Sequence, residues 1–248
     1  MMSKLIQLLA KNRRQGRPRA FAVQGDDVTI YIYDAIVPDD DTAEWWGGVS
    51  AQSLVPQIRA INGGTIHLRI NSPGGDVFAA QTICAAIRDT GAKVIAHIDG
   101  YAASAATIIA SAADEVEMSD GAMYMIHCGW TIAIGNSADM TAVAALLDKT
   151  DGVIASQYAK RSGKSADDMK TLMQAETWFT AEEAVEIGLA DRIAESAEKV
   201  QASWDLSAYA NAPKPEARQQ SENIDAITAE HRQRQQQRLR MLNCINHQ

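Results

Sequence analysis

Apolar and polar residues alternate from Thr65 to Ile70, with Ile66, Leu68 and Ile70 at every second position. This period of two predicts a strand with one buried face. From 76 onward the apolar positions recur every three or four residues, which predicts a helix over 76–89. The same reasoning predicts further strands at 28–33, 93–98, 115–118 and 122–126, and helices at 53–62, 102–112, 139–160 and 166–174.

Strands and helices therefore alternate along most of the chain. Successive βα units predict right-handed crossovers and a largely parallel sheet, so the expected fold class is α/β. Apolar residues make up 46% of the 248 residues and aromatic residues only 6%, so the core must consist mainly of Ala, Ile, Val and Leu. Thr180 and Glu183 form a capping box for a further short helix that ends at Gly188.

The two ends of the chain differ in composition from its middle. Residues 1–24 form a basic N-terminal arm, and residues 25–197 carry the periodic pattern of a folded domain. After about residue 197 the pattern is lost, and a Gln- and Arg-rich stretch follows at 232–238. We therefore expect a flexible polar C-terminal tail over 198–248, transiently helical from about 224 to 242.

Charge and composition restrict the classes of partner. Residues 21–210 hold 11 basic and 27 acidic residues, an acidic balance that argues against nucleic-acid binding by the body. No run of eighteen apolar residues occurs, so no membrane partner is expected. Three cysteines without metal spacing indicate a reducing, cytoplasmic compartment. The acidic triplet at 39–41 is predicted to be a solvated loop, because consecutive acids do not converge on one ion, and neither a metal nor another cofactor is expected.

The candidate chemistry lies in a serine and a histidine. The sequence Gly-Tyr-Ala-Ala-Ser-Ala-Ala at 100–106 surrounds Ser104 with small residues, which would let a substrate backbone approach it. Met-Ile-His at 125–127 places His127 at the end of an apolar strand. A histidine that can take the serine proton makes the serine a nucleophile. Cys128 is expected to point to the opposite face and to be a small buried hydrophobe.

A glycine-rich turn joins the strand at 65–70 to the following helix. It reads Asn-Ser-Pro-Gly-Gly at 71–75. Exposed amides at such a turn, near a helix N-terminus, can stabilise an oxyanion. Alone, the motif is equally typical of a phosphate cradle or a plain tight turn.

Together these motifs resemble the Clp-type serine peptidases (ClpP). The blocks at 71–75, 100–104, 125–127 and 180–191 occur in the order seen in that family, and the likeness covers about residues 25–195. It implies a ClpP/crotonase-like spiral of βαβ units with a projecting handle helix. It also implies that Ser104 is the nucleophile, that His127 is the general base, and that the Gly75 and Ala105 amides form the oxyanion hole.

The third member of the triad departs from the family pattern. An ungapped alignment on Thr180 puts Leu172 where housekeeping Clp peptidases carry an aspartate. Glu176 is the only acid between Asp168 and Glu182 and is the candidate to orient His127. Asp168 is the reserve candidate. A dyad assisted by a backbone carbonyl, or a Glu176 that is merely solvated, stays open.

The resemblance also implies assembly and a substrate class. The 139–160 helix carries an apolar stripe that a lone chain could not easily bury, so a ring-shaped homo-oligomer, with rings that can stack, is expected. Glu-Thr-Trp at 176–178 looks most like the ClpP-related head-maturation (prohead) proteases of tailed phages. The expected function is a serine endopeptidase that processes capsid and scaffold proteins, in the host cytoplasm and within the assembling prohead.

Three other functions stay open at this point. A housekeeping Clp-type peptidase would work with an AAA+ unfoldase. An inactive ClpP-fold protein would act only in assembly. A crotonase-like acyl-CoA enzyme would share the fold and the paired amides, but it does not need a serine followed by a histidine.

Overall fold

A computed structural model describes residues 21–24, 27–194 and 205–213. This part of the chain contains strands and helices in an alternating order. The strands are β1 (Phe21–Gln24), β2 (Asp27–Ile32), β3 (Ile36–Val37), β4 (Val49–Ser50), β5 (Thr65–Ser72), β6 (Lys93–Ala103), β7 (Glu115–Met118), β8 (Met123–Ile126), β9 (Thr177–Thr180) and β10 (Arg192–Ile193). The helices are α1 (Asp40–Trp46), α2 (Ala51–Arg59), α3 (Val77–Asp89), α4 (Ala105–Ala110), α5 (Ser137–Ser162), α6 (Ala166–Gln174) and α7 (Ala181–Ile187).

Eight strands form one mixed sheet, in the order β1-β2-β5-β6-β7-β10, and β8 joins β6 to β9. The pairs among β2, β5, β6, β7, β8 and β10 are parallel, whereas β1–β2 and β8–β9 are antiparallel. Strands β3 and β4 form a separate parallel pair. The expected α/β fold with a largely parallel sheet is confirmed.

The core is built as the composition indicated. Alternate residues of β5 are buried, and Ile66, Leu68 and Ile70 have no exposed surface. All six residues of α4 are buried, and its sequence Ala-Ala-Thr-Ile-Ile-Ala lets the helix lie close to the sheet.

Strand β6 is longer than its hydrophobic pattern predicted. It runs through Ala103, so the helix expected to begin near residue 102 begins only at Ala105, after Ser104. The extension occurs because β6 pairs first with β7 and then, from Tyr101 to Ala103, with β8. These pairings supply hydrogen bonds that a helix start at 102 would have lost.

Helix α5 combines two environments. Its C-terminal half packs on the body and buries Asp151, Ile154, Ala155 and Tyr158. Met140, Leu146 and Val153 remain exposed along the same helix. The helix begins after an Asn136 cap and ends at Gly163 in a left-handed conformation, so it is longer at both ends than the predicted 139–160.

Two expectations about irregular regions need correction. The acidic triplet is not a loop, because Asp39 caps α1 and accepts a hydrogen bond from the Thr42 amide. Residues 205–212, expected in the flexible tail, belong to the same compact unit as the body. Tyr209 is only 8% exposed. Residues 21–24, expected in the basic arm at 1–24, form β1 and pair with β2, so the sheet begins before residue 25. The rest of that arm and the predicted helix at 224–242 lie outside the described residues, and the other domain boundaries stay predictions.

Within the described ranges, no helix is both long and apolar enough to cross a membrane.

Candidate active site

Strand register brings Ser104 and His127 together. Ala103 pairs with Met125 in the parallel β6–β8 ladder. Ser104 follows directly, and its amide donates to the Met125 carbonyl over 2.9 Å. Both side chains therefore emerge at the carboxyl ends of adjacent parallel strands, where sites of α/β proteins commonly form.

Ser104 lies on a strained turn between β6 and α4. Its φ is +55° and its ψ is −125°, and Ser104 and Glu176 are the two non-glycine residues with positive φ in the described chain. Such a conformation costs on the order of 1–3 kcal/mol and persists only where the surrounding structure enforces it. It presents the side chain beyond the strand, as the sharp strand-to-helix turns of α/β-hydrolases present their nucleophiles.

The side chains of Ser104 and His127 are in direct contact. The Nε2 atom of His127 lies 2.8 Å from the Oγ atom of Ser104. That distance suits transfer of the hydroxyl proton to the imidazole. The neighbouring Cys128 is a poor competitor, because burial, together with Asp151, raises the pKa of its thiol to about 11.

The Gly-Gly turn lies against Ser104. Gly75 forms a parallel bridge with Ile36. The Gly74 carbonyl accepts a hydrogen bond from the Ile36 amide, and the Asp76 amide donates one to the Ile36 carbonyl. In such a parallel pairing the amide of the intervening Gly75 points to the other side. Ala105 is the first residue of α4, so its amide has no intrahelical acceptor.

Glycine is required in this turn for space. At Gly75, where φ is +150°, a Cβ atom would stand 2.1 Å from the Ile36 carbonyl oxygen. No side chain fits at that distance, so the loop holds its position only with glycine.

A cavity of about 470 Å³ opens beside the pair. Gly75, Ser104, Ala105 and His127 all line it. Its farther walls are largely apolar and come from α4, α5 and the segment after His127; they include Ile108, Trp130, Ile132, Leu147 and Ile154. The space suits an apolar side chain of a ligand whose reactive group lies at Ser104.

Glu176 lies just before β9, which pairs antiparallel with β8. Ile126 pairs with Thr177 at the end of this ladder, so Glu176, in the turn before β9, and His127, after β8, each adjoin that last pair. Its carboxylate accepts the amides of Ala210 and Asn211 over 3.0 and 2.6 Å. The backbone of Glu176 also has a positive φ of 49°, a conformation that commonly marks functional positions.

Asp168, the reserve candidate, and Leu172, the position aligned with the family aspartate, form contacts within their own part of the chain. Asp168 is exposed and forms the capping box of α6 with Ser165, whose hydroxyl lies 2.6 Å from its carboxylate. The carbonyl of Leu172 accepts the Thr177 hydroxyl over 2.7 Å.

Two groups of residues beside the site escaped the sequence analysis. The Thr107 hydroxyl donates to the Ser104 carbonyl over 2.5 Å and contacts the Tyr158 hydroxyl, so α5 braces the turn of the nucleophile. Tyr209 lies edge-on to His127, with ring centroids 5.4 Å apart. In the sequence, Tyr158 is one of several apolar positions of the 139–160 helix, and Tyr209, isolated in a polar segment, gives no periodic signal.

Over the described ranges, no cluster of three or more His, Cys, Asp or Glu residues is arranged to hold a metal ion.

Comparison with known proteins identifies the family. Residues 48–197 match the family model for Clp protease. The chain is 31% identical over 154 residues to an ATP-dependent Clp protease proteolytic subunit of Streptococcus sanguinis, covering 59% of this chain and 79% of that protein. It is 33% identical over 132 residues to the subunit of the same name from Streptococcus pneumoniae (strain Hungary19A-6), covering 52% and 67%.

A solved structure shows the same fold. A point mutant of ClpP1 from Listeria monocytogenes superposes with a TM-score of 0.55 at 24% identity, covering 68% of this chain and 91% of that one. The family match spans both Ser104 and His127. The chain therefore belongs to the Clp protease family.

Proposed function

We propose that this protein is a serine endopeptidase in which Ser104 is the nucleophile and His127 the general base. The observation that carries the proposal is the 2.8 Å contact between Ser104 Oγ and His127 Nε2, on a strained turn beside an open cavity. Family membership supports the same chemistry.

The reaction follows from the positions of these groups. Ser104 Oγ attacks the substrate carbonyl while His127 takes its proton, and the imidazolium then protonates the leaving amine. The Gly75 and Ala105 amides stabilise the oxyanion of the tetrahedral intermediate. Water, activated by His127, hydrolyses the acyl-enzyme and restores the serine.

Glu176 is the proposed third member of the triad. The β8–β9 register and the positive φ of Glu176 support this assignment. A carboxylate has about four lone-pair sites, so the two amide donors at Ala210 and Asn211 leave acceptor capacity for an imidazole N–H. In that role it holds the imidazole tautomer and stabilises the imidazolium.

A fluorophosphonate probe tests the proposal directly. We expect stoichiometric labelling of the wild type at Ser104, identified by peptide mass, and none of Ser104→Ala. A folded wild-type protein that does not react would contradict the peptidase assignment and favour an inactive assembly protein.

For substrates, we propose capsid and scaffold proteins of a tailed phage, cleaved in the host cytoplasm and within the assembling prohead. The support is the 180–191 block, led by Glu-Thr-Trp at 176–178, which resembles phage head-maturation proteases. Exposed Met140, Leu146 and Val153 on α5 support a homo-oligomer, which we propose is a ring.

The second candidate is a peptidase that works with an AAA+ unfoldase. It is favoured by the names of the streptococcal relatives, which are ATP-dependent Clp protease proteolytic subunits. Purified protein that cleaves a folded capsid precursor without ATP would support the phage role. Degradation of such a substrate only with a co-purifying AAA+ ATPase would support the second candidate.

A further inference from the structure

The segment 205–212 is attached to the active site by hydrogen bonds from three of its residues. Tyr209 donates its hydroxyl to the Pro73 carbonyl over 2.5 Å. The Ala210 and Asn211 amides donate to the Glu176 carboxylate. The Asn211 side-chain amide donates to the carbonyls of Ala175 and Glu176 over 2.8 and 3.2 Å.

Tyr209 is the residue of this segment whose ring contacts His127. Its ring lies edge-on to both His127 and Trp178, with centroid distances of 5.4 and 6.1 Å. It joins a buried apolar cluster with Tyr101, Ala103 and Met125 from the ends of β6 and β8. The ring therefore fills the space beside the catalytic histidine.

The phenol remains a hydrogen-bond donor under ordinary conditions. Burial is the largest cause that raises the pKa of Tyr209 far above its usual value; the nearby Ser104 hydroxyl opposes that shift, and the Glu176 charge adds to it. The proton therefore stays on the phenol, which binds the Pro73 carbonyl directly before the two glycines of the oxyanion turn.

The segment leaves the nucleophile accessible. Ala208 and Tyr209 form part of the wall of the 470 Å³ cavity, alongside Ser104 and His127, rather than filling it. Ser104 and His127 stay half-buried and in contact. A segment that blocked substrate would instead occupy this space.

We infer that Tyr209 is a positioning residue for the proposed hydrolysis: its ring fixes the His127 imidazole, and its hydroxyl fixes the Pro73–Gly75 turn. The inference rests on the proposed function and assigns the 205–212 segment to the catalytic apparatus. Asn211 serves the same purpose indirectly, because it ties the segment to the Glu176 backbone.

Kinetics of point variants in the full chain test this role, with hydrolysis of a short fluorogenic peptide as the assay. Tyr209→Phe keeps the ring and loses one hydrogen bond, so kcat should fall about 3- to 10-fold with KM within about twofold. Tyr209→Leu also loses the aromatic contact and should lower kcat about 10- to 100-fold. Asn211→Ala should lower kcat by about threefold or more.

Tyr33→Phe is the matched control. Its hydroxyl donates to Asp99 Oδ2 over 2.5 Å and does not line the cavity, so the variant should keep kcat and KM. All variants are assayed at temperatures well below their unfolding midpoints. The fraction of each protein that fluorophosphonate labels is measured, and kcat is calculated per labelled site.

The outcomes separate the two proposals. If wild type is labelled at Ser104 but the Tyr209 variants match Tyr33→Phe, the positioning role is wrong and the peptidase proposal stands. A rise in rate in Tyr209→Leu and Asn211→Ala would overturn positioning in favour of a blocking segment. If wild type is not labelled, the peptidase proposal fails, and the positioning role fails with it.

Discussion

Gly74 and Ser104 lie so close that a Cβ atom on Gly74 would stand 2.7 Å from the Cβ atom of Ser104. The same added atom would lie 2.5 Å from the Ala103 carbonyl oxygen. This contact joins the oxyanion turn to the nucleophile turn. Two segments separated by 30 residues in the sequence are thus packed directly against each other.

Replacing Gly74 should therefore disable the site. In Gly74→Ala the turn must move away from Ser104, and misplacing an oxyanion donor should lower the rate of peptide hydrolysis by about 10²-fold or more. Gly91→Ala is the control, since Gly91 also has a positive φ (+62°) but no atom within 4 Å of an added Cβ. It should lose about 1–2 kcal/mol of stability and keep its rate. Equal rates in both variants would contradict the coupling.

Ser104→Ala should abolish hydrolysis while leaving assembly intact. Removing the nucleophile typically costs on the order of 10⁴–10⁶-fold in kcat, and the loss of one hydroxyl among alanines changes packing little. Ser111→Ala is the control, because that hydroxyl bonds to the Thr107 carbonyl and to Tyr124 rather than to His127. Unchanged turnover in purified Ser104→Ala would rule out Ser104 as nucleophile.

Glu176→Gln tests the third member of the triad. The amide can still accept from one backbone N–H, but it favours the wrong imidazole tautomer, so kcat should fall by about 10²-fold or more. Asp168→Asn should change kcat by less than about threefold, because Asp168 is exposed and caps α6. If Asp168→Asn has the larger effect, or if neither substitution matters, the Glu176 assignment is wrong.

Assembly should depend on the exposed apolar residues of α5. Val153 is 56% exposed, and a charge there would be costly to bury between protomers. We expect Val153→Lys to shift the protein from a ring towards the 26.8 kDa protomer in light scattering. Gln57→Lys, at an exposed position of α2, should leave the ring intact. A monomeric wild type at assay concentration would contradict the ring proposal.

Cys128 should be dispensable despite its place beside His127. Because its pKa is raised to about 11, only on the order of 10⁻⁴ of the thiol is ionised at pH 7. The thiolate fraction of Cys128 should increase as the pH rises towards this pKa, and the rate of alkylation by iodoacetamide should increase with it. Cys128→Ala should retain hydrolysis at pH 7. Rapid alkylation of Cys128 at pH 7, with loss of activity, would show that the thiol is reactive.

The sequence by itself determined the periodic elements and singled out Ser104 and His127 as the candidate pair. The alternation in β5 and the three-to-four spacing in α3 each reflect burial on one face, which local sequence encodes. Ser104 and His127 were identifiable because small residues and an apolar strand surround them in the chain. Thr180 with Glu183 defined the start of α7 for the same local reason.

Only the tertiary structure decided how far β6 extends and what surrounds His127. Ala102 and Ala103 are compatible with a helix in isolation, and pairing with β8 keeps them in a strand. Tyr209 lies 82 residues after His127 in a segment without periodicity, so its contact with the imidazole depends on folding alone. Glu176 likewise gains its amide donors from Ala210 and Asn211, because long-range contacts leave no local pattern in the sequence.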